Sequence, residues 1–371
     1  MSHTQLLSFT SRLYMIKNVK AKAKYLRNSN NFTKGFSSNN SLNAPKQKTA
    51  SSVYRTMNVF DRKVKILQRE RSAQREDYHL AEYIKEEVGW RTADRILDVK
   101  RVFKNAVELG AGRGYVSRHL LPDSVEKVTL CDTSQTHLDK AIVGDGVKFE
   151  KVVMDEENVD FPENSMDLVV SSLCLHWVND LPGCFDKIMR ILKPDGVFIA
   201  CVFGGDTLME LRQSLQLADT DRMGGMAPHI SPFVRVRDIG GLLTASGYTL
   251  QTVDVDTITV WYPSAWHVMH DTRTLGEGNA AFNRPLRLNR DVQFAAAAIY
   301  DEMYGKELPE HKSRGVPATF EIINFLGWKP SPDQPKPLER GSGEISLKDL
   351  HRIDEIIQDV KTVELTEEDK K

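Results

Sequence analysis

The sequence predicts an α/β fold, with helices on both faces of a mostly parallel, seven-stranded sheet and a lid-like insertion at residues 206–237. Two observations predict it. Short apolar strands alternate with amphipathic helical segments over most of the chain, which is typical of a parallel sheet. The first strand also runs into a glycine-rich turn at residues 110–114. With 40% apolar and 27% charged residues, the chain can bury a sizeable core.

The elements follow in chain order. Strands are predicted at residues 106–109, 127–131, 147–154, 168–172, 197–203, 249–261 and 319–326, and helices at 62–87, 115–121, 185–192, 236–247, 264–275 and 290–304. In the helix that starts near Phe185, apolar residues recur at the i, i+3, i+4 and i+7 positions of one helix face. Pro194 and Gly196 then mark the break before a fully buried strand.

Four regions are predicted along the chain. Residues 1–50 form a targeting or disordered segment, and residues 51–100 form an N-terminal helical segment. Residues 101–329 form the main domain, with the lid-like insertion at 206–237 and Met223-Gly224-Gly225-Met226 at its centre. Residues 330–371 form a charged, proline-containing tail.

The charge distribution separates the N-terminal segment from the rest. Residues 1–60 contain ten Lys or Arg and no Asp or Glu, which leaves 40 basic against 51 acidic residues in 61–371. A basic, acid-free leader is typical of a mitochondrial transit peptide, and a disordered basic tail is the alternative. The acidic remainder argues against nucleic-acid binding and suits a basic partner. The longest apolar run, residues 197–203, is too short to cross a membrane, which leaves peripheral association.

The glycine turn predicts a ligand site. Gly110, Gly112 and Gly114 let the backbone bend sharply and leave bare peptide for a ligand. A dinucleotide-binding turn would need glycine at 115, where this chain has Tyr115. Glu108 would repel a pyrophosphate, whereas it would favour the cationic sulfonium and ammonium groups of S-adenosylmethionine.

Two acids follow at the ends of the next strands. Asp132 ends the second strand, where a carboxylate can accept hydrogen bonds from both ribose hydroxyls. Asp155 closes the third strand and is placed for the adenine edge. The alternative to this ligand site is an α/β domain with an empty crevice.

Neither cysteines nor histidines predict a metal site. The four cysteines, Cys131, Cys174, Cys184 and Cys201, lack metal-ligand spacing and are expected to be buried apolar thiols. His137 and Asp139 form the one His-x-Asp string, but helix neighbours two apart do not share a face. We therefore predict no metal ligands.

His176 and Trp177 are the candidate catalytic residues. They follow the fourth strand, at the edge of the sheet that faces the expected ligand. His176 could act as a general base near neutral pH, and Trp177 could stack on a cation or guanidinium. The alternative is a histidine packed against the adenosyl group and a tryptophan packed in the core.

The Glu-Leu-Gly-Ala-Gly-Arg-Gly turn, the two acids and the Leu-Lys-Pro-Asp-Gly break resemble the class I methyltransferases. The resemblance implies the Rossmann-like fold of that class, with S-adenosyl-L-methionine as cofactor. The implied cofactor-binding residues are Glu108, Gly110, Ala111, Gly112, Gly114, Asp132, Asp155 and Leu173.

The Leu-His-Trp-Val-Asn-Asp-Leu-Pro segment at 175–182 is similar to the malonyl-carrier-protein methyltransferases of biotin synthesis. Together with Val-Phe-Asp-Arg at 59–62, Met-Gly-Gly-Met at 223–226 and Val-Pro-Ala-Thr-Phe at 316–320, it also resembles the family of mitochondrial complex I assembly factor five. That resemblance covers residues 57–329.

The resemblance to the assembly-factor family implies an enzyme of the mitochondrial matrix, at the matrix face of the inner membrane. Such an enzyme works with other assembly factors during assembly of NADH:ubiquinone oxidoreductase. The implied reaction is hydroxylation of an arginine in an iron–sulfur subunit, with an oxidant that the sequence does not identify. Two alternatives are an S-adenosylmethionine-dependent methyltransferase for a protein or small molecule, and a non-catalytic assembly chaperone.

Overall fold

The computed structural model describes residues 58–308 and 313–335. The predicted transit peptide and most of the charged tail lie outside these residues. Contacts divide the chain into one unit at Met1–Ser331 and a second at Pro332–Lys371. Everything below concerns the first unit.

One sheet organises this unit. Its strands are β1 Ala106–Leu109, β2 Lys127–Asp132, β3 Lys148–Val153, β4 Met166–Ser172, β5 Leu192–Phe203, β6 Thr249–Tyr262, β7 Lys306–Leu308 and β8 Ser313–Trp328. The order is β3-β2-β1-β4-β5-β8-β6, and β7 pairs with β8. The first five strands are parallel, whereas β8 runs antiparallel to β5 and β6. The predicted α/β fold is confirmed, with one strand more than predicted because the three-residue β7 is too short to leave a pattern.

Nine α-helices are described: α1 Arg62–Ala73, α2 Tyr78–Ala81, α3 Tyr83–Leu97, α4 Gln135–Asp139, α5 Leu181–Ile191, α6 Met209–Met223, α7 Val236–Ala245, α8 Ala265–Thr274 and α9 Arg290–Tyr304. The single helix predicted at 62–87 is instead three helices with a break after Ala73. The predicted insertion contains α6, followed by a loop from Gly224 to Arg235. We call residues 224–235 the lid loop.

The helix predicted at 115–121 is wrong. Only a short 3-10 turn forms, at Ser117–His119, and Leu120 is already extended. Pro122 explains the difference, because the residue before a proline is pushed out of the helical conformation. Too few residues then remain between the glycine turn and the proline to form a stable α-helix.

Alternation along β5 shows how the core is arranged. Phe198 and Ala200 join an apolar cluster with Phe185 of α5. Val197 and Ile199 join a different cluster that includes residues of α3. Because successive strand residues point to opposite faces, the sheet is covered on both sides, and its carboxyl edge is left for the functional site.

Candidate functional site

The glycine turn follows β1 directly. Gly110, Gly112 and Gly114 have φ values of 68°, 55° and 73°, in the left-handed region that favours glycine. A Cβ on Gly110 would lie 2.2 Å from Cys174 Sγ, and one on Gly114 would lie 2.3 Å from the Ile142 carbonyl oxygen. The turn therefore needs glycine for its conformation and for its close packing.

Asp132 is fixed beside this turn. Its Oδ2 accepts a hydrogen bond from the Gly112 amide at 2.9 Å, and its Oδ1 accepts one from the Ser134 amide at 2.8 Å. Within the described part of the chain, the buried Thr133 hydroxyl has no hydrogen-bond partner. An oriented carboxylate next to an unpaired hydroxyl fits the ribose hydroxyls of an adenosyl ligand.

Glu108 stabilises the turn by hydrogen bonds to the residues that follow it. It is 1% exposed, and its carboxylate accepts the Val116 amide at 3.2 Å, the Ser117 amide at 3.1 Å and the Ser117 hydroxyl. Burial raises the pKa of Glu108 to about 7, although these hydrogen bonds act to lower it. Its observed contacts secure the chain that follows the glycines.

Ala111 and Leu173 shape the walls of the turn. The Ala111 amide donates to the Cys131 carbonyl at 2.9 Å, which ties the turn to β2. Leu173 has a φ of 49°, and its amide donates to the Cys201 carbonyl at 3.0 Å. A non-glycine residue in the left-handed backbone conformation costs roughly 1–2 kcal/mol. Leu173 leads directly into Cys174, whose Sγ packs against Gly110 of the glycine turn.

The four cysteines are buried, as predicted. Cys174 nevertheless has charged rather than apolar neighbours, which corrects its expected surroundings. Its Sγ donates to Glu156 Oε1 at 2.8 Å and accepts from Arg69 NH2 at 3.1 Å. Burial raises the pKa of the Cys174 thiol well above its usual value, so it stays protonated.

Helix α1 carries three basic side chains, Arg62, Lys65 and Arg69, which we call the cationic face of α1. Arg62 and Arg69 contact acids, whereas Lys65 Nζ donates to the carbonyls of residues 276 and 278 at 2.9 Å each. Spacings of three and seven residues put them on one side of the helix. Arg62 NH2 contacts Asp155 Oδ1 at 2.7 Å and Glu156 Oε2 at 2.5 Å. The predicted adenine acid therefore pairs with an arginine of the same chain.

Arg69 completes this cluster. Its NH1 lies 2.6 Å from Glu156 Oε1, and its NH2 lies 3.8 Å from Asp132 Oδ2. Although burial acts to raise the pKa of Glu156, the charges of Arg69 and Arg62 lower it to about 2. Asp132 is 0% exposed, so α1 covers the acid that fits the ribose.

Sequence reasoning missed Arg62, Arg69 and Glu156. The helical spacing was visible, but three cations on one helix face normally predict a solvent-exposed face. Here that face is covered, because Glu156 pairs with both arginines and two backbone carbonyls accept from Lys65.

His176 and Trp177 meet a carboxylate that lies far away in sequence. Trp177 Nε1 donates to Glu277 Oε2 at 2.8 Å, and His176 Nε2 lies 3.4 Å from the same oxygen. Lys85 Nζ lies 2.8 Å from Glu277 Oε1. Lys65 Nζ lies 3.3 Å from the centroid of the Trp177 ring, so a side chain of the same chain covers one face of this tryptophan.

The His176 side chain is fully buried. Its ring lies 4.9 Å from the Phe203 ring and 5.8 Å from the Phe233 ring, centroid to centroid. Burial lowers the pKa of His176 below its usual value, so the ring is neutral near pH 7. The catalytic roles suggested for His176 and Trp177 stay predictions.

The lid loop is fastened to α6 and to the loop before α9. His229 Nε2 lies 2.8 Å from Asp219 Oδ2, which also accepts the Ala227 amide at 3.0 Å. Asn279 Nδ2 donates to the Pro228 carbonyl at 2.7 Å.

His137 and Asp139 do not converge, because His137 is buried whereas Asp139 is exposed. Among the described residues, no group of three or more His, Cys, Asp or Glu side chains is arranged to hold a metal ion. In the same part of the chain, no helix combines the length and hydrophobicity needed for a membrane crossing.

The sequence of this chain is similar to those of known proteins. A methyltransferase-domain model matches residues 107–200. Over 303 residues the chain is 47% identical to the mitochondrial arginine hydroxylase NDUFAF5 of Danio rerio, covering 82% of this chain and 92% of that protein. The human protein of the same name is 46% identical over 303 residues, covering 82% and 86%. A malonyl-[acyl-carrier protein] O-methyltransferase of Gallionella capsiferriformans is 28% identical over 286 residues, covering 74% and 94%.

Proposed function

This chain belongs to the family of mitochondrial NDUFAF5 arginine hydroxylases, and on that premise we propose that it hydroxylates an arginine side chain of a protein in mitochondria. The observation that carries the proposal is 47% identity along 92% of a relative with that name. This match of 303 residues is much longer than the segment 107–200 that the methyltransferase-domain model matches.

The proposed substrate is an iron–sulfur subunit of NADH:ubiquinone oxidoreductase. The chain would bind it during assembly, at the matrix face of the inner membrane. The charge of the chain supports a basic partner, since residues 61–371 carry 51 acidic against 40 basic residues. An acidic surface speeds the encounter with an arginine-bearing segment.

The proposed cofactor is S-adenosyl-L-methionine. Asp132 and Thr133 would hold the ribose, the glycine turn would lie along the ligand, and Asp155 would face the adenine. Bound S-adenosylmethionine would supply an electrophilic methyl group, which hydroxylation does not consume. To admit the ribose, Arg69 has to move away from Asp132, because the carboxylate is fully covered.

The proposed reaction inserts one oxygen atom into a bond between hydrogen and carbon or nitrogen of the arginine, which loses two electrons. With dioxygen as oxidant, the second oxygen atom leaves as water after a reductant supplies two electrons and two protons. The chain's own contribution is to hold the arginine, to orient it and to exclude water.

Mass spectrometry distinguishes this proposal from methyl transfer, which the methyltransferase-domain match favours as the second candidate. The full chain is incubated with a purified iron–sulfur subunit, S-adenosylmethionine, dioxygen and a reductant. A gain of one oxygen atom on an arginine supports hydroxylation. A gain of one methyl group in place of a hydrogen supports methyl transfer and contradicts hydroxylation.

Calorimetry tests the cofactor site separately. We expect S-adenosylmethionine and S-adenosylhomocysteine to bind and NAD not to bind. Asp132→Asn should weaken adenosyl-ligand binding by about 1.5–3 kcal/mol, because charge-assisted hydrogen bonds to the ribose are lost. Asp123→Asn, at an exposed position, is the matched control and should leave affinity unchanged. Equal affinities of the two variants would contradict the assignment of Asp132.

A further inference from the structure

A small cavity lies between the lid loop, the end of β5 and the loop after α8. Its volume is about 50 Å³. We call it the aromatic cavity, and its lining residues are Phe203, Thr207, Leu208, His229, Ile230, Ser231, Phe233, Thr272, Leu275, Glu277, Gly278, Asn279 and Phe320. Six of these residues belong to the lid-like insertion predicted at 206–237, and none of the lining residues was predicted to bind a ligand.

Three phenylalanine rings form its apolar wall. The centroids of Phe203 and Phe233 are 5.7 Å apart, and those of Phe203 and Phe320 are 6.1 Å apart. Phe203 ends β5, and β5 pairs with β4, which leads into His176 and Trp177. The cavity is therefore at the same edge of the sheet as the glycine turn.

One carboxylate lines the cavity, that of Glu277. Trp177 Nε1 and Lys85 Nζ hold its two oxygens at 2.8 Å each. Although burial acts to raise the pKa of Glu277, the charge of Lys85 and the hydrogen bond with His176 lower it well below its usual value. Lys85 pairs with one oxygen of this carboxylate, and neither Lys85 nor Lys65 lines the cavity, so the one acidic side chain of the wall is an ion-paired carboxylate.

The neutral polar groups of the wall also face a ligand as acceptors. Thr207 Oγ1 donates its proton to the Glu321 carbonyl at 3.0 Å, and Thr272 Oγ1 donates to the Val268 carbonyl at 2.8 Å. Thr207 Oγ1 also accepts the Glu321 amide at 3.2 Å, which occupies one of its lone pairs. Its remaining lone pair and those of Thr272 Oγ1 can accept from a further donor. A ligand with several N–H groups and a positive charge matches this wall, whereas an anionic ligand would meet Glu277.

We propose that the aromatic cavity receives the guanidinium group of the substrate arginine, an inference that rests on the proposed hydroxylation of arginine. A guanidinium is planar, stacks on aromatic faces and carries five N–H donors around its edge. A water molecule needs roughly 10–15 Å³ of such volume, so the cavity has room for a guanidinium head group and excludes a nucleotide. The rest of the substrate would lie outside, against the lid loop.

Binding of a small probe tests the cavity directly. N-acetyl-L-arginine N-methylamide is titrated into the full chain and followed by saturation-transfer NMR, in parallel with the lysine and citrulline counterparts. We expect the arginine probe to bind at least about tenfold more tightly than either counterpart, since citrulline lacks the charge and lysine lacks the planar group.

Two variants and one control locate the binding. Phe233→Leu removes an aromatic face at similar volume, and Glu277→Gln removes the carboxylate charge; each should weaken arginine binding by about tenfold. Phe282→Leu, at a ring that is 62% exposed and outside the cavity, should bind as the wild type does. Because Glu277→Gln leaves Lys85 buried without its partner, Phe233→Leu decides the outcome if the glutamine variant fails to fold.

Failure of this inference and failure of the proposed function give different results. No binding of the arginine probe, equal binding of the citrulline probe, or an unchanged affinity in Phe233→Leu overturns the cavity assignment. In that case an oxygen gain on the iron–sulfur subunit would still support hydroxylation. Selective arginine binding that Phe233→Leu weakens, without any oxygen gain, would support the cavity and contradict the hydroxylase.

Discussion

Replacing Glu156 with glutamine should destabilise the protein by about 3 kcal/mol at neutral pH. The side chain is 1% exposed and lies within 2.6 Å of guanidinium nitrogens of both Arg62 and Arg69. Its pKa falls from 4.5 to about 2 in the folded state, and each pKa unit corresponds to about 1.36 kcal/mol. Glutamine keeps the shape but leaves two buried guanidinium groups without their shared carboxylate, a change that typically costs about 3–5 kcal/mol.

The sign of the pH dependence follows from the same pKa values. A carboxylate with a lowered folded-state pKa contributes stability that is complete above pH 4.5 and is lost as the pH falls toward 2. The difference between wild type and variant should therefore shrink to about 2 kcal/mol at about pH 3.5. Urea denaturation followed by circular dichroism at pH 7.5 and 3.5 measures both values.

Glu163→Gln is the matched control. Glu163 is exposed and lies 3.7 Å from the exposed Arg190, so its loss should change the free energy of unfolding by less than about 0.5 kcal/mol. The reasoning is refuted if Glu156→Gln stays within about 1 kcal/mol of wild type at pH 7.5, or if its destabilisation is the same at both pH values.

Three further substitutions have defined outcomes in the same denaturation assay. Gly110→Ala should lower the free energy of unfolding by about 2–4 kcal/mol, because a φ of 68° combines with a Cβ position 2.2 Å from Cys174 Sγ; a loss below about 1 kcal/mol would contradict this. Gly241→Ala, in α7 with no atom within 4 Å of the new Cβ, should instead raise it by about 0.5–1 kcal/mol, and a decrease would contradict the open surroundings. Burial lowers the pKa of His137 from 6.5 to about 2, so the free energy of unfolding falls as the pH drops below 6.5. Between pH 7.5 and 5, His137→Gln should therefore lose about 2 kcal/mol less of this free energy than the wild type does.

His79→Gln is the control for the histidine, since His79 is exposed. It should lose as much stability on acidification as the wild type does. An equal pH dependence in wild type and His137→Gln would show that another group causes the acid sensitivity.

The sheet could be predicted from the sequence because each strand signal is local. The run Val197–Phe203 is apolar on every residue, as a strand buried on both faces requires. Gly110, Gly112 and Gly114 likewise mark their own backbone conformation, which the structure confirms. In contrast, β7 has three residues, too few for any periodicity.

The partners of the site could not be predicted in the same way. Glu277 meets Trp177 across 100 residues of sequence, and Glu156 meets Arg69 across 87. No local pattern reports a contact between a helix before the first strand and a loop that follows the third strand. The helix itself was predicted, but its buried face was missed because that face is cationic, and charged residues are rarely fully buried unless they are paired.

The cover formed by α1 also sets how tightly any ligand can bind the crevice. Because α1 and the acids belong to one chain, the cationic face is an intramolecular competitor of any ligand that binds these acids. It acts at the high effective concentration that a short tether provides. A ligand that must reach Asp132 then binds only the uncovered fraction of molecules. Its apparent dissociation constant is the intrinsic value divided by that fraction, so the intact chain binds such a ligand more weakly than the crevice itself would.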